Sequence, residues 1–178
     1  MSRNERLRRV VILCLSFARN LAYYRAGRSA EHVLLQKESH PAFTFWRAVS
    51  GNFIDMCVLE WCKLFADKNG KHYWRKIVTD AESFRIQLLA YVGTDEAGFQ
   101  TEIDTMLRYR DKFIAHLDSD PVMFIPSLEI ARKAVWFYYA YLLSHEDTSL
   151  AALAPDLDHG YSVAEKEAGR VYLKAAVR

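Results

Sequence analysis

The amino-acid sequence predicts an all-α protein: an antiparallel helical bundle of four to five main helices with an additional C-terminal helix. Ala and Leu together number 40 of 178 residues, whereas Gly and Pro number only 11, so helix formers are abundant and turn residues scarce. Apolar residues make up 51% of the chain, which excludes a disordered protein. A chain of 178 residues suits one core, so we expect residues 1–178 to form a single helical domain.

Two long helices are predicted in the first third of the chain. The first reaches to about Ala26-Gly27 on an apolar stripe at steps of four and three, made of Leu7, Val11, Cys14, Ala18 and Leu21. Ser39-His40-Pro41 is a typical start for the second. Its stripe is rich in aromatic residues and consists of Phe43, Trp46, Ser50, Phe53, Cys57, Trp61 and Leu64. Such a stripe has to be covered by the core or by a dimer interface.

The middle of the chain predicts a turn and two further helices. Asp67 to Gly70 forms the turn, and His72 to Val78 is a short helix or turn. A helix over Ala81–Tyr91 ends at Gly93, a favourable C-cap. Thr94 is the predicted cap of a helix that starts near Asp95 and ends at Asp118-Ser119-Asp120-Pro121. Its stripe consists of Phe99, Ile103, Met106, Arg110, Phe113 and Leu117.

The C-terminal part predicts two more helices. One opens at Pro126-Ser127 and continues through Leu142, and residues 144–158 are expected to be a linker. The last helix is predicted to begin at a capping box, Ser162 to Glu165. Residues 144–178 are therefore expected to be a linker and a peripheral C-terminal helix.

The net charge of +2 is too small to indicate a nucleic-acid-binding protein, but the charge is unevenly spread. Residues 1–28 hold seven Arg and one Glu, and residues 144–170 hold six acidic residues and two basic ones. Three explanations are open: the two ends pair with each other, the basic end is an edge that faces phosphate, or both simply face solvent.

The N-terminus imitates a secretory signal, because four Arg residues precede the apolar run Val10–Leu15. A secretory signal would have a cleavage site with small residues after the apolar run, but here Arg19 follows and no such site is present. The run is also far too short for a membrane span. Three cysteines, Cys14, Cys57 and Cys62, fit neither a zinc site nor a disulfide framework. We expect a cytoplasmic protein without metal or cofactor.

The unusual feature is an arginine in an apolar stripe. Arg110 occupies a position that helical phase assigns to a buried face, where an arginine is rare unless an anion meets it. His116 lies six residues on, which on an ideal helix is about 9 Å along the axis and about 120° around it. A His and an Arg suit RNA cleavage, because the imidazole moves protons and the guanidinium stabilises charge on phosphate.

Arg110-Asp111 followed by His116 resembles the signature of the HEPN superfamily, and the wider pattern resembles its abortive-infection AbiU-like branch. The resemblance covers residues 43–143. Its segments are Phe45-Trp46-Arg47 to Asn52-Phe53, Leu59 to Phe65, Tyr73 to Lys76, and Tyr109 to Asp118. It implies a dimeric, metal-independent endoribonuclease acting in phage defence or a toxin–antitoxin setting, with RNA as substrate, a possible antitoxin partner and no membrane.

By this resemblance, Arg110 stabilises the scissile phosphate, Asp111 orients Arg110 or groups of the other protomer, and His116 is the general acid or base. The alternative is a non-catalytic HEPN-like dimeric module that binds nucleotide, RNA or a partner protein. Simpler explanations are a surface ion pair of Arg110 and Asp111, with Glu102 or Asp104 as further candidate partners, and a His116 that only caps its helix.

For the other polar and aromatic residues near these helices, we expect structural rather than functional roles. Asn52, Asp55 and Glu60 flank the aromatic stripe of the second helix. We expect them to be exposed to solvent, and the alternative is that one of them reaches the region of Arg110 and His116 across the bundle. The aromatic pair Tyr73-Trp74, next to His72, is expected to pack in the core, with stacking on nucleobases as the alternative.

Overall fold

The structure is a computed structural model that describes residues 2–35, 42–115, 124–147 and 154–177. These residues form six α-helices and no strand, which confirms the all-α helical bundle. The helices are α1 (Arg3–Leu35), α2 (Ala42–Phe65), α3 (Ala81–Val92), α4 (Glu96–Tyr109), α5 (Glu129–Tyr141) and α6 (Leu157–Val177). None of the helices described is long and apolar enough to cross a membrane.

Contacts divide the chain into two compact units. The first comprises Met1–Cys14 and Val58–Ala154, and the second comprises Leu15–Cys57 and Pro155–Arg178. The division passes through α1 and α2, so each of these long helices supplies residues to both units.

The core of the first unit is built of aromatic rings around Phe84, which is 0% exposed. Its ring lies 4.9 Å from the rings of Trp74 and Tyr141 and 5.1 Å from that of Tyr138. Trp74 belongs to a short 3₁₀ turn, Trp74–Lys76, within the predicted short helix or turn. Tyr73 and Trp74 are both buried, so packing rather than base stacking accounts for them.

A buried carboxylate joins distant segments of the same unit. The side chain of Glu146 is 1% exposed and accepts hydrogen bonds from the backbone N–H and the hydroxyl of Thr79, each 2.7 Å long. Arg3 at the start of α1 completes the set with an ion pair of 2.5 Å. Arg3 belongs to the basic N-terminal segment and Glu146 to the acidic C-terminal segment, so this contact is an example of pairing between the two ends.

The second unit has a small core in which α1 and α6 contribute Ala26, Ala30, Ala168 and Tyr172. Tyr23 and Trp46 pack against this cluster, and the ring of Trp46 lies 5.2 Å from that of Tyr172.

The first helix is longer than predicted, because α1 continues through Gly27 to Leu35. A side chain at Gly27 would meet Ser50 Oγ and the hydroxyl of Tyr172 at 2.8 Å, so the glycine provides space rather than a helix end. The expected start of α2 at Ser39-His40-Pro41 lies outside the described residues. The turn over Asp67–Gly70 is confirmed by a bond of 2.9 Å from Gly70 N to Asp67 O.

Two predicted helix caps are wrong by one and by six residues. Asp95, not Thr94, caps α4, because its carboxylate accepts from Gly98 N at 2.8 Å. The start of α6 lies at Leu157, where Asp156 accepts from His159 N at 2.8 Å, so Ser162 is inside the helix. In both cases an aspartate carboxylate takes the place of the predicted hydroxyl cap, as the preferences for N-caps allow. Gly93 ends α3 as predicted, with φ of 80°.

Candidate functional site

The predicted site residues Arg110 and Asp111 lie where α4 changes into a π-helical segment, Arg110–Ala115. Such segments carry an extra residue per turn and are frequent at functional sites. Both residues belong to the first unit.

The buried stripe of α4 differs from the predicted one at its C-terminal end. Phe99, Ile103 and Met106 are buried as predicted, but Tyr109 takes the next buried position. The side chain of Arg110 is 31% exposed. Arg110 therefore lies at the edge of the core rather than inside it, and its guanidinium is accessible to a ligand.

Arg110 and Asp111 form an ion pair with each other. Both Nε and Nη2 of Arg110 lie 2.7 Å from one oxygen, Oδ1, of Asp111. Asp104, which the sequence offered as a partner, instead accepts from Gln100 at 2.8 Å. Because a guanidinium has five N–H donors, the pair with Asp111 holds the Arg110 plane and leaves Nη1 without an acceptor among the described residues.

His116 lies outside the described residues. The estimate of its distance and angle from Arg110 assumed an ideal α-helix, and residues 110–115 are π-helical instead. A π-helix turns less per residue, so that estimate no longer applies.

The neighbour of this ion pair across the first unit is Cys62 of α2. Burial raises the pKa of its thiol to about 12; the charge of Arg110 opposes that rise, and the carboxylates of Asp111 and Asp67 add to it. A thiol with so high a pKa is protonated at neutral pH, so Cys62 is no nucleophile here.

Two carboxylates, Glu60 and Glu102, are more buried than the sequence analysis predicted. Glu60 was expected to be exposed and is only 3% exposed. The signal for its burial was available, since Glu60 lies three residues after Cys57 and four before Leu64 on one helix stripe. Glu102 of α4 is half-buried, its Oε1 lacks a hydrogen-bond partner, and burial raises its pKa to about 7.

The described residues contain no group of three or more His, Cys, Asp and Glu side chains that could hold a metal ion.

No protein-family model matches the chain, and no curated protein or solved structure matches it either.

Proposed function

We propose that this chain is a metal-independent endoribonuclease of the HEPN type. It acts in the cytoplasm, in phage defence or a toxin–antitoxin setting, and two copies of the chain form the composite site. The single observation that carries the proposal is the motif Arg110-Asp111 with His116. An all-α bundle supports it, as does an Arg110 whose side chain is 31% exposed and held in place by Asp111.

Each motif residue has a distinct part in the proposed reaction. Arg110 binds the scissile phosphate through its open Nη1 and stabilises charge that grows on the phosphate oxygens. Asp111 orients Arg110, and its single-oxygen contact with Nε and Nη2 is suited to that role. His116 transfers a proton as general acid or base.

The reaction needs no external nucleophile. The RNA 2′-oxygen attacks phosphorus and loses its proton to the base, while the bond from phosphorus to the 5′-oxygen breaks and the acid protonates that oxygen. The products are a 2′,3′-cyclic phosphate and a 5′-hydroxyl. Because base and acid act on opposite sides of phosphorus, one His from each protomer of a dimer would supply both.

The test is single-turnover cleavage of end-labelled RNA in the presence of chelator. Loss of a general acid or base costs about 10²–10⁴-fold, so His116→Ala should lower the rate by at least about 100-fold. Arg110→Ala should lower it by about 10²–10³-fold, as loss of one charge-stabilising donor does. The matched controls are Arg170→Ala and His159→Ala, both at exposed positions of α6.

Equal cleavage by the wild type and both motif variants would refute the mechanism. RNA binding without turnover would favour the alternative, a non-catalytic dimeric binding module. The observation that favours this alternative is that Asp111 already occupies two donor groups of Arg110. Circular dichroism of each variant separates loss of chemistry from loss of fold.

A further inference from the structure

A cleft on the first unit brings together basic residues from three separate segments of the chain. It has a volume of about 510 Å³ and is lined by Arg9 of α1, Lys63 of α2, and Lys71 and His72 of the segment that follows α2. Ile12 and Leu13 of α1 form an apolar wall, and Ile12 is 60% exposed.

The three cations of this cleft, Arg9, Lys63 and Lys71, lack ion-pair partners in the part of the chain that the structure describes. The lining includes one carboxylate, Asp67, which accepts a hydrogen bond from Gly70 N at 3.1 Å. Three cations therefore face one carboxylate, and that carboxylate is already engaged in its own turn.

The His72 ring experiences the electrostatic potential of the cations in the cleft. Its Nε2 is buried and has no hydrogen-bond partner among the residues that the structure describes. Burial lowers the pKa of the ring, and the charges of Arg9, Lys63 and Lys71 lower it further. Because these three cations and His72 line one cleft, an anion in that cleft would be stabilised.

We propose that this cleft binds a phosphate group that belongs to a nucleotide, either free or within an RNA strand. Arg9, Lys63 and Lys71 contact the phosphate oxygens, and the exposed face of Ile12 with Leu13 packs against the base or sugar. The arrangement combines a cationic rim with an apolar wall, as sites for nucleotides and single strands do. No residue of the Arg110 motif lines the cleft, so the proposal goes beyond the proposed nuclease function.

The first experiment follows the His72 ring by NMR in the full chain, with His72→Gln to assign its signal. The measurement uses the His116→Ala variant, in which the proposed nuclease would be inactive and RNA stays intact. Binding at the cleft can therefore be measured whether or not the nuclease proposal is correct. The ligands are 5′-AMP, a short oligoadenylate and, as a control without phosphate, adenosine, all at the same ionic strength. A bound phosphate should raise the His72 pKa, because its negative charge offsets the three cations.

The second experiment measures binding of the oligoadenylate by fluorescence anisotropy against salt. The cleft variant is Arg9→Gln/Lys63→Gln/Lys71→Gln. A matched variant at exposed positions that do not line the cleft, Arg8→Gln/Lys68→Gln/Lys166→Gln, removes the same charge. Each contact between a cation and a single-strand phosphate contributes about 0.7 to the slope of log K against log salt. Because the cleft variant lacks three cations, the magnitude of its slope should be smaller by about 2.

The outcomes separate the two sources of the phosphate. A rise of the His72 pKa with 5′-AMP that the oligoadenylate does not exceed indicates a free nucleotide, and a rise with the oligoadenylate alone indicates an RNA strand. Adenosine acting as strongly as 5′-AMP would overturn the proposal, as would no rise with either phosphate ligand. Equal salt slopes for the cleft and matched variants would exclude the RNA strand. If the triple variant does not fold, Lys71→Gln alone replaces it, with an expected loss of about 0.7 in slope.

Discussion

Replacing Gly27 by Ala tests the packing between α1 and α6 in the second unit. A Cβ atom at this position would lie 2.8 Å from Ser50 Oγ and from the Tyr172 hydroxyl, and 2.9 Å from Tyr172 Cζ. Carbon atoms do not approach so closely without displacement of a neighbour. Tyr172 is only 2% exposed and packs edge-on against Trp46 at 5.2 Å, so its ring cannot swing away without cost.

Two opposing effects set the magnitude. Gly to Ala in a helix interior stabilises by about 1 kcal/mol, because Ala loses less backbone entropy on folding. Overpacking of a filled core costs about 1–3 kcal/mol. The free energy of unfolding should therefore change by between about 0 and −2 kcal/mol in Gly27→Ala.

The assay is urea unfolding followed by far-ultraviolet circular dichroism, with Gly51→Ala in α2 and Gly169→Ala in α6 as matched controls. No atom lies within 4 Å of a Cβ at either control position. Both controls should gain up to about 1 kcal/mol from helix propensity alone. Gly27→Ala should thus be less stable than either control by about 1–3 kcal/mol.

A double variant identifies the cause. In a Tyr172→Ala background the ring is gone and only the contact with Ser50 Oγ remains, so Gly27→Ala should destabilise less and the two changes should be non-additive. If Gly27→Ala were as stable as the two controls, or if its effect were the same with and without the Tyr172 ring, the packing argument would be refuted.

Three further predictions concern the first unit. Glu102→Gln should stabilise the protein above pH 7 and change its stability little below pH 4. The pKa of Glu102 is about 7 in the folded state, so the wild type has its full stability below the unfolded-state pKa and loses stability as the pH rises to 7. Urea unfolding at several pH values would check this. Phe84→Ala should cost about 3–5 kcal/mol and the exposed Ile86→Ala under about 1 kcal/mol, and equal losses in thermal unfolding would contradict the aromatic core. Cys14 and Cys62 should resist a thiol reagent at pH 8 until urea unfolds the chain, because burial raises the pKa of both thiols, and fast labelling of the folded protein would disprove their burial.

Local chemistry made much of the helical architecture predictable. The short turn after α2, α3 with its C-cap at Gly93, and the buried positions Phe99, Ile103 and Met106 all follow from spacing and capping preferences that act over a few residues. The motif around Arg110 was also visible as residues in a row, and its functional role stays a prediction.

Among the predictions that failed, the end of the first helix depends on a long-range contact. Gly27 looks like a helix end until Tyr172, far away in sequence, is seen to need its space. Two other failures are local choices between neighbouring residues: Asp95 rather than Thr94 caps α4, and Tyr109 rather than Arg110 follows Met106 in the buried stripe.

The sequence by itself determined the all-α class, because composition and periodicity express the backbone preference of each residue and the apolar face that each helix must bury. Only the tertiary structure decided which polar groups of distant segments that burial would join, as it did for the Glu146 carboxylate that Thr79 and Arg3 enclose. It also assembled the cleft around His72, whose cations come from segments that are distant along the chain. Electrostatic fields depend on distance in space, and distance in space is what folding adds to a sequence.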